Sequence, residues 1–300
     1  MENAALLLDQ NRSRRAAWQK WAMLSPLLLW LLLFVVAPTA ILLVYSFFRG
    51  QGNSEVRYTF TIDNYFRCFS RPYLRVFARS LEYAALTTAL CLLIGYPVAY
   101  FIGRSSERWR NRLLMAVMIP FWTSFLIRTY AWKTILDQQG VLNAVLRTLH
   151  IIPGLLSNDF EVLYTPAAVM IALVYTYLPF MILPIYGSVE KLDQSLVEAA
   201  SDLGAGPMRA FARVILPLTM PGISAGTLMV FVPAVAMFAV TSVMSGGKIR
   251  LIGDVIQDQF YAAGDLPFGS ALGMVLLGMF IASFYLFTAR TSAASSRLLA

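Results

Sequence analysis

Six long stretches of this chain carry no Asp, Glu, Lys or Arg. They are Trp21–Phe48 (28 residues), Tyr83–Gly103 (21), Leu113–Ile127 (15), Val162–Val189 (28), Val214–Gly247 (34) and Leu266–Ala289 (24). A helix needs about 20 apolar residues to cross roughly 30 Å of hydrocarbon, where only internal bonding can satisfy its backbone. Five intervals are long enough outright. The third becomes so by continuing through Arg128 to Trp132, with Arg128 near one end, where a long side chain reaches the headgroups. The fifth is too long for one span, and Pro233 with Gly246 and Gly247 predicts a break before its end. The expectation is an all-α integral membrane protein with about six transmembrane helices. Composition agrees, since 13% of residues are charged against about a quarter in soluble domains.

The net charge of +8 therefore points to lipid headgroups and cytoplasmic flanks rather than to nucleic acid. Arg12, Arg14, Arg15 and Lys20 precede an uncharged run of 28 residues. A cleaved signal has an apolar region of only about 7–15 residues, so a retained anchor is expected. Residues 1–20 read as a cytoplasmic segment and 21–300 as one membrane domain. With the N-terminus inside, 13 Lys and Arg fall on the cytoplasmic side and 11 on the other. The "GRSSERWRNR" turn is the strongest inside signal. The first external segment opposes it with Arg49, Arg57, Arg67, Arg71, Arg75 and Arg79.

Several chemical motifs fail their structural requirements. "GISAG" at Gly222–Gly226 has the G-x-S-x-G spacing, but it follows Pro221 within an apolar helix and lacks a nearby His and acid. The sole histidine, His150, reads as a loop imidazole, and no metal site is expected. Cys68 and Cys91 make no disulfide framework. "SGGKIR" lacks the spacing of a phosphate-binding loop, so any energy for active work must come from elsewhere. Gly222 with Gly226, and Gly269 with Gly273, instead have the spacing that lets helices approach closely in lipid.

One polar segment interrupts the oily pattern: "EAASDLGAGPMRAFARVILP", Glu198–Pro217. Ser195 to Glu198 is S-x-x-E, predicting a capping box. Leu192, Leu196, Ala199 and Leu203 form one apolar stripe. Gly204 can end this helix in the left-handed conformation, and Pro207 suits the first turn of the next. That second helix carries Met208, Phe211 and Ile215 on one side, with Arg209 and Arg213 four apart. Two amphipathic helices could lie on the membrane surface. However, anionic headgroups would repel Asp193, Glu198 and Asp202, so a protein partner fits better.

Glu198-Ala199-Ala200, Gly204, Val214, Leu216 and Pro217 resemble the EAA loop of ABC-importer permeases, E-A-A-x3-G-x9-I-x-L-P, with Val214 in place of isoleucine. The resemblance implies a type I importer fold whose loop, about 190–217, docks on a separate cytoplasmic ATPase that binds ATP and Mg. Glu198, Ala199, Ala200, Asp202, Gly204 and Arg209 would then be the coupling residues. "TIDNYFRCF", "IPFWTSFLIRTYAWKTIL", "LVYTYLPFMILPIYGSVEKLD" and "LIGDVIQDQF" are similar to the first permease subunit of spermidine/putrescine importers. That likeness implies a bacterial inner-membrane heterodimer of two permeases, two ATPase copies and a periplasmic binding protein.

A polycation's path should offer carboxylates and aromatic faces. Trp122, Tyr175 and Tyr177 within spans are candidates, although packing is the simpler account of each, and Asp254 and Asp258, four apart on a short external helix, could meet either the substrate or the binding protein. Tyr130 and Trp132 suit an interface belt, and Glu82 could pair with Arg79. The same machine could carry ferric ion, thiosulfate or a phosphonate. A secondary transporter would need ionisable groups deep in its spans, which these lack apart from Arg128 near one end.

Overall fold

The computed structural model describes residues 23–50, 56–148 and 162–298. The expected cytoplasmic segment 1–20 and His150 lie outside them. The described elements are α1 (Met23–Ser46), the hairpin β1 (Phe48–Gly50) and β2 (Val56–Phe60), α2 (Asp63–Cys68) and α3 (Arg71–Arg104). Next come α4 (Glu107–Met118), α5 (Phe125–Leu136), α6 (Val141–Thr148), α7 (Pro166–Glu190) and α8 (Gln194–Asp202). The last are α9 (Pro207–Ala236), α10 (Ala239–Ser245), α11 (Ile252–Tyr261) and α12 (Leu266–Leu298). Five helices are long and apolar enough to cross a membrane, or six if the bent pair built on α4 and α5 is one span.

The chain divides into two compact units, residues 1–68 with 259–278 and residues 69–258 with 279–300. In the first, the end of α1 is tied to the hairpin and α2. Asn64 Nδ2 donates to the carbonyls of Ser46 (2.9 Å) and Phe48 (2.7 Å), satisfying groups left open at the helix end. Phe47 stacks on Phe60 with ring centroids 5.0 Å apart. Arg67 pairs with Asp265 at 3.1 Å and lies over the Phe268 ring, while Asp265 accepts from the Phe268 N–H at the start of α12.

The second unit is built on α3, α7 and α9, which pack against one another. The buried face of α3 is small and regularly spaced: Ala84, Thr87, Thr88, Cys91, Gly95 and Ala99. In lipid, water does not drive helices together, so close backbone approach and polar contacts must do so. A Cβ at Gly95 would come within 3.2 Å of Met181, and one at Gly226 within 2.8 Å of the same side chain. At Gly222 it would meet the Pro184 carbonyl at 2.5 Å. The Gly222–Gly226 pair therefore serves packing within the chain, between α9 and α7. Tyr96 Oη bonds Thr219 Oγ1 across α3 and α9 (3.0 Å), and Cys91 Sγ donates to the Val174 carbonyl (3.6 Å). Both cysteines are free and buried.

Three spans depart from the charge-based intervals. The helix of the second interval begins 12 residues early, at Arg71, because arginines on one face do not interrupt a helix. The third interval is not a continuous helix. A 3₁₀ turn at Ile119–Trp122 gives way to extended backbone at Thr123 (ψ 151°) and Ser124 (ψ 134°), and the flanking helices meet at 92°. In the fifth, α9 ends three residues after Pro233, where Met237 turns extended. The short α10 that follows packs against α7 and α5 and ends at left-handed Gly246 and Gly247.

Candidate coupling loop and translocation path

The polar loop forms the helix-turn-helix that its residues predict, with one correction. The cap of α8 is Asp193, whose Oδ1 accepts from the Ser195 N–H at 3.0 Å, so Ser195 donates and is not the capping residue. An ionised carboxylate is the stronger acceptor for that orphan N–H. The bond holds the Asp193 carboxyl below its ordinary value. Glu198 is released from the capping role that its spacing suggested, and among the described residues its carboxylate stands exposed.

The C-terminal end is closed by a paired motif. Gly204, at φ +78°, donates its N–H to the Ser201 carbonyl (2.9 Å), and Ala205 donates to Ala200 (3.0 Å). This 6→1 and 5→2 pattern requires a left-handed residue at Gly204 and brings Ala205 back over Ala200. Gly206 then caps α9 with Pro207 in its first turn. A five-residue π turn at Phe211–Ile215 follows, and the helix runs unbroken into span five. The turn is thus rigidly continuous with a membrane helix.

No residue of α8 is buried. Leu203 is 90% exposed, Met208 79% and Leu196 47%, so the apolar stripe does not pack into this chain's core. A cavity of about 570 Å³ lies between α8 and the end of α3, lined by Tyr100, Arg104, Gln194, Glu198 and Asp202. Arg104 Nη1 donates to Gln194 Oε1 at 3.3 Å across it. Nearby, Arg110 of α4 pairs with Glu190, the last residue of α7, at 3.2 Å. The loop therefore presents free carboxylates and an open apolar stripe on a well-capped frame.

The path candidates are scattered. Trp122 is 72% exposed at the bend before α5. Tyr175 is half-buried and packs edge-to-face with Trp132, ring centroids 5.2 Å apart. Trp132 therefore makes a packing contact within the chain while staying partly exposed. Tyr177 is buried, 6.3 Å from the Phe180 ring. Asp254 is buried, with both carboxylate oxygens 2.8 Å from Thr241 Oγ1 and one accepting the Leu251 N–H at 2.9 Å. Burial pushes its carboxyl up to about 6 despite those bonds. Asp258 is ion-paired with Arg250. No ring contact or hydrogen bond joins any two of the five among the described residues.

Sequence reasoning missed two features here. Arg128 lies 5.0 Å over the Phe121 ring, its Nε buried without a hydrogen-bond partner among the described residues. The signal was its position as the lone charge in the third span. Ser80 Oγ accepts the Ile252 N–H at 2.7 Å, tying the start of α11 to α3. A partner 172 residues away leaves no local signal. Glu82, by contrast, forms no ion pair with Arg79 among the described residues.

Residues 95–294 match the family described as the binding-protein-dependent transport system inner membrane component. The chain belongs to this family. The permease is 44% identical over 259 residues to the spermidine/putrescine transport system permease protein PotB of Haemophilus influenzae, covering 85% of this chain and 89% of the relative. It is likewise 44% identical to the Escherichia coli K12 protein of that name, covering 82% and 88%. Among solved structures, it matches a chain of a bacterial alginate ABC transporter in complex with an alginate pentasaccharide-bound periplasmic protein. There the TM-score is 0.70 at 17% identity, with 92% of this chain and 94% of that one covered. That likeness establishes the fold of an ABC-importer permease. The permease is accordingly an inner-membrane component of a transport system.

Proposed function

We propose that the permease is one half of a heterodimeric, ATP-driven importer that moves polyamines, spermidine and putrescine, inward from a periplasmic binding protein. The observation that carries the substrate is the 44% identity, over most of both chains, to permeases of spermidine/putrescine systems. The N-terminus lies in the cytoplasm, which places the α8–α9 loop, about residues 190–217, on that side. There it docks on one of two ATPase subunits, which bind the ATP and Mg that this chain does not. The free Glu198 and Asp202, the open stripe of Leu196, Ala199 and Leu203, and the neighbouring Ala200 and Arg209 suit a protein cleft. Gly204 and Pro207 hold the frame that passes ATPase closure into α9. Trp122, Tyr175 and Asp258 remain candidates for the path. Tyr177 and Asp254 are buried and would act there only after a rearrangement that exposes them.

The test is reconstitution of the whole complex in nanodiscs, with ATP hydrolysis measured as binding protein is added. Stimulation is expected with spermidine- or putrescine-loaded protein. Stimulation only by protein loaded with an inorganic anion such as thiosulfate would overturn the substrate. Transport that persists without ATP or the ATPase subunit would overturn the machine.

A further inference from the structure

We infer that the extramembrane end of α3 is a docking rail for the carboxylate-rich surface of the substrate-binding protein, contacted through Arg71, Arg75 and Arg79. The inference rests on the import reading and on its orientation, and it adds the partner site.

The three arginines are four residues apart and exposed, and none is in an ion pair among the described residues. At about 3.6 residues per turn they form one stripe. The buried residues Phe77, Ser80 and Ala84 lie on the opposite side of the helix. The stripe therefore faces away from this chain's core. Arg71 and Arg75 also stand in the first turns of a long helix, where the macrodipole is positive and disfavours cations. Three like charges at i, i+4 spacing repel one another as well. Stability of this chain alone gives no reason for the arrangement.

Distance lets lipid hold only part of the stripe. The charge-free part of α3 starts at Tyr83, and at about 1.5 Å per residue Arg79, Arg75 and Arg71 lie roughly 6, 12 and 18 Å beyond it. Each headgroup layer adds only about 5–7 Å to the hydrocarbon. Arg79 can sit among headgroups and Arg75 can reach back to them with its long side chain, whereas Arg71 projects past them into water. A polycationic cargo is repelled by the same charges, so the stripe does not receive free substrate. A carrier that captures a polycation needs carboxylates around its cleft, and those that the bound cargo leaves exposed are attracted by the stripe. The rail thus draws in the carrier while discouraging unescorted cargo.

The experiment uses the full complex in nanodiscs and titrates spermidine-loaded binding protein against stimulated ATP hydrolysis at several salt concentrations. For Arg71→Glu with Arg75→Glu, the half-saturating concentration of binding protein should rise roughly tenfold, as expected for reversed rim charges. Its salt dependence should weaken, with basal and maximal hydrolysis unchanged. Arg71→Lys with Arg75→Lys should stay near wild type. A half-saturation within about twofold of wild type, with unchanged salt dependence, overturns the rail. Loss of the second permease on co-purification overturns it too, by assigning the stripe to that interface. A shift that vanishes in neutral lipid assigns it to the membrane and also overturns it. Absent stimulation of the wild-type complex would count against the import reading itself, a distinguishable failure.

Discussion

Two short helices of this permease carry a pair of carboxylates four residues apart, and the protein treats them in opposite ways. In α8, Glu198 and Asp202 are exposed. In α11, Asp254 is buried on Thr241 and Leu251, and Asp258 is taken by Arg250. Identical spacing thus serves a surface in one place and a clamp in the other. The neighbours make the difference. α8 hangs outside the bundle between Asp193 and Gly204, whereas α11 starts against Ser80 of α3 and Gly253 is pressed against the Ala236 carbonyl. Substitutions in α8 should change transport and spare stability, and those around α11 should do the reverse.

The largest effect is expected at Gly204. A tryptophan there has open space around it, so its cost comes from the φ of +78°. A non-glycine residue in that region costs about 1–2 kcal/mol, and every 1.4 kcal/mol is about tenfold in population. Gly204→Trp should lower polyamine uptake tenfold or more while membrane abundance stays near wild type, as read by uptake assays beside immunoblots. Glu198→Lys should act in the same direction by reversing charge at the proposed docking face. Normal uptake in both would remove the coupling role of the loop.

Next comes Thr241→Val, which keeps the shape and removes the hydroxyl that lies 2.8 Å from both Asp254 oxygens. Hydrogen bonds to charged groups contribute about 1.5–3 kcal/mol, so thermal unfolding of the purified complex should shift down measurably. The pH profile tests the same clamp. The Asp254 carboxyl rises from 3.8 to about 6 on folding. The folded chain then holds a proton that the unfolded chain has lost. Through this group, stability falls as pH climbs from about 4 to 6 and stays low above that, by roughly 3 kcal/mol in total. Asp254→Asn should flatten that slope, and melting temperatures between pH 4.5 and 7.5 would show it.

What was legible in the sequence followed from local chemistry. Gly204 and Pro207 act on their own backbone, so the turn was readable, and the uncharged intervals located the spans. Misreadings arose where local signals competed or partners were distant. The cap falls two residues before Ser195, with the Asp193 carboxylate accepting the Ser195 N–H, which puts Ser195 inside the first turn rather than at the cap. The Thr123–Ser124 break carries no charge, so counting charges could not find it. Asp254 looked accessible to a substrate because its burial depends on Ser80 and Thr241, which its own neighbourhood does not reveal. Likewise the α3 extension carries too many arginines for a hydropathy argument, although a single-sided stripe is compatible with a helix.

The smallest effect sharpens the comparison most. Glu198→Gln removes a charge that has no ion-pair partner among the described residues, and Leu203→Ser removes an apolar side chain that is 90% exposed. Surface changes of this kind usually stay within about 0.5 kcal/mol, so neither should move the melting temperature of the isolated permease by more than a degree or two. If both free faces meet the ATPase, they become buried only in the complex. The same two substitutions should then weaken co-purification of the ATPase and the uptake that depends on it. A clear loss of stability in the permease alone would mean that α8 is part of the bundle after all. Unchanged stability with a weakened complex would place Glu198 and Leu203 at the interface, the opposite of what Asp254 does with the same spacing.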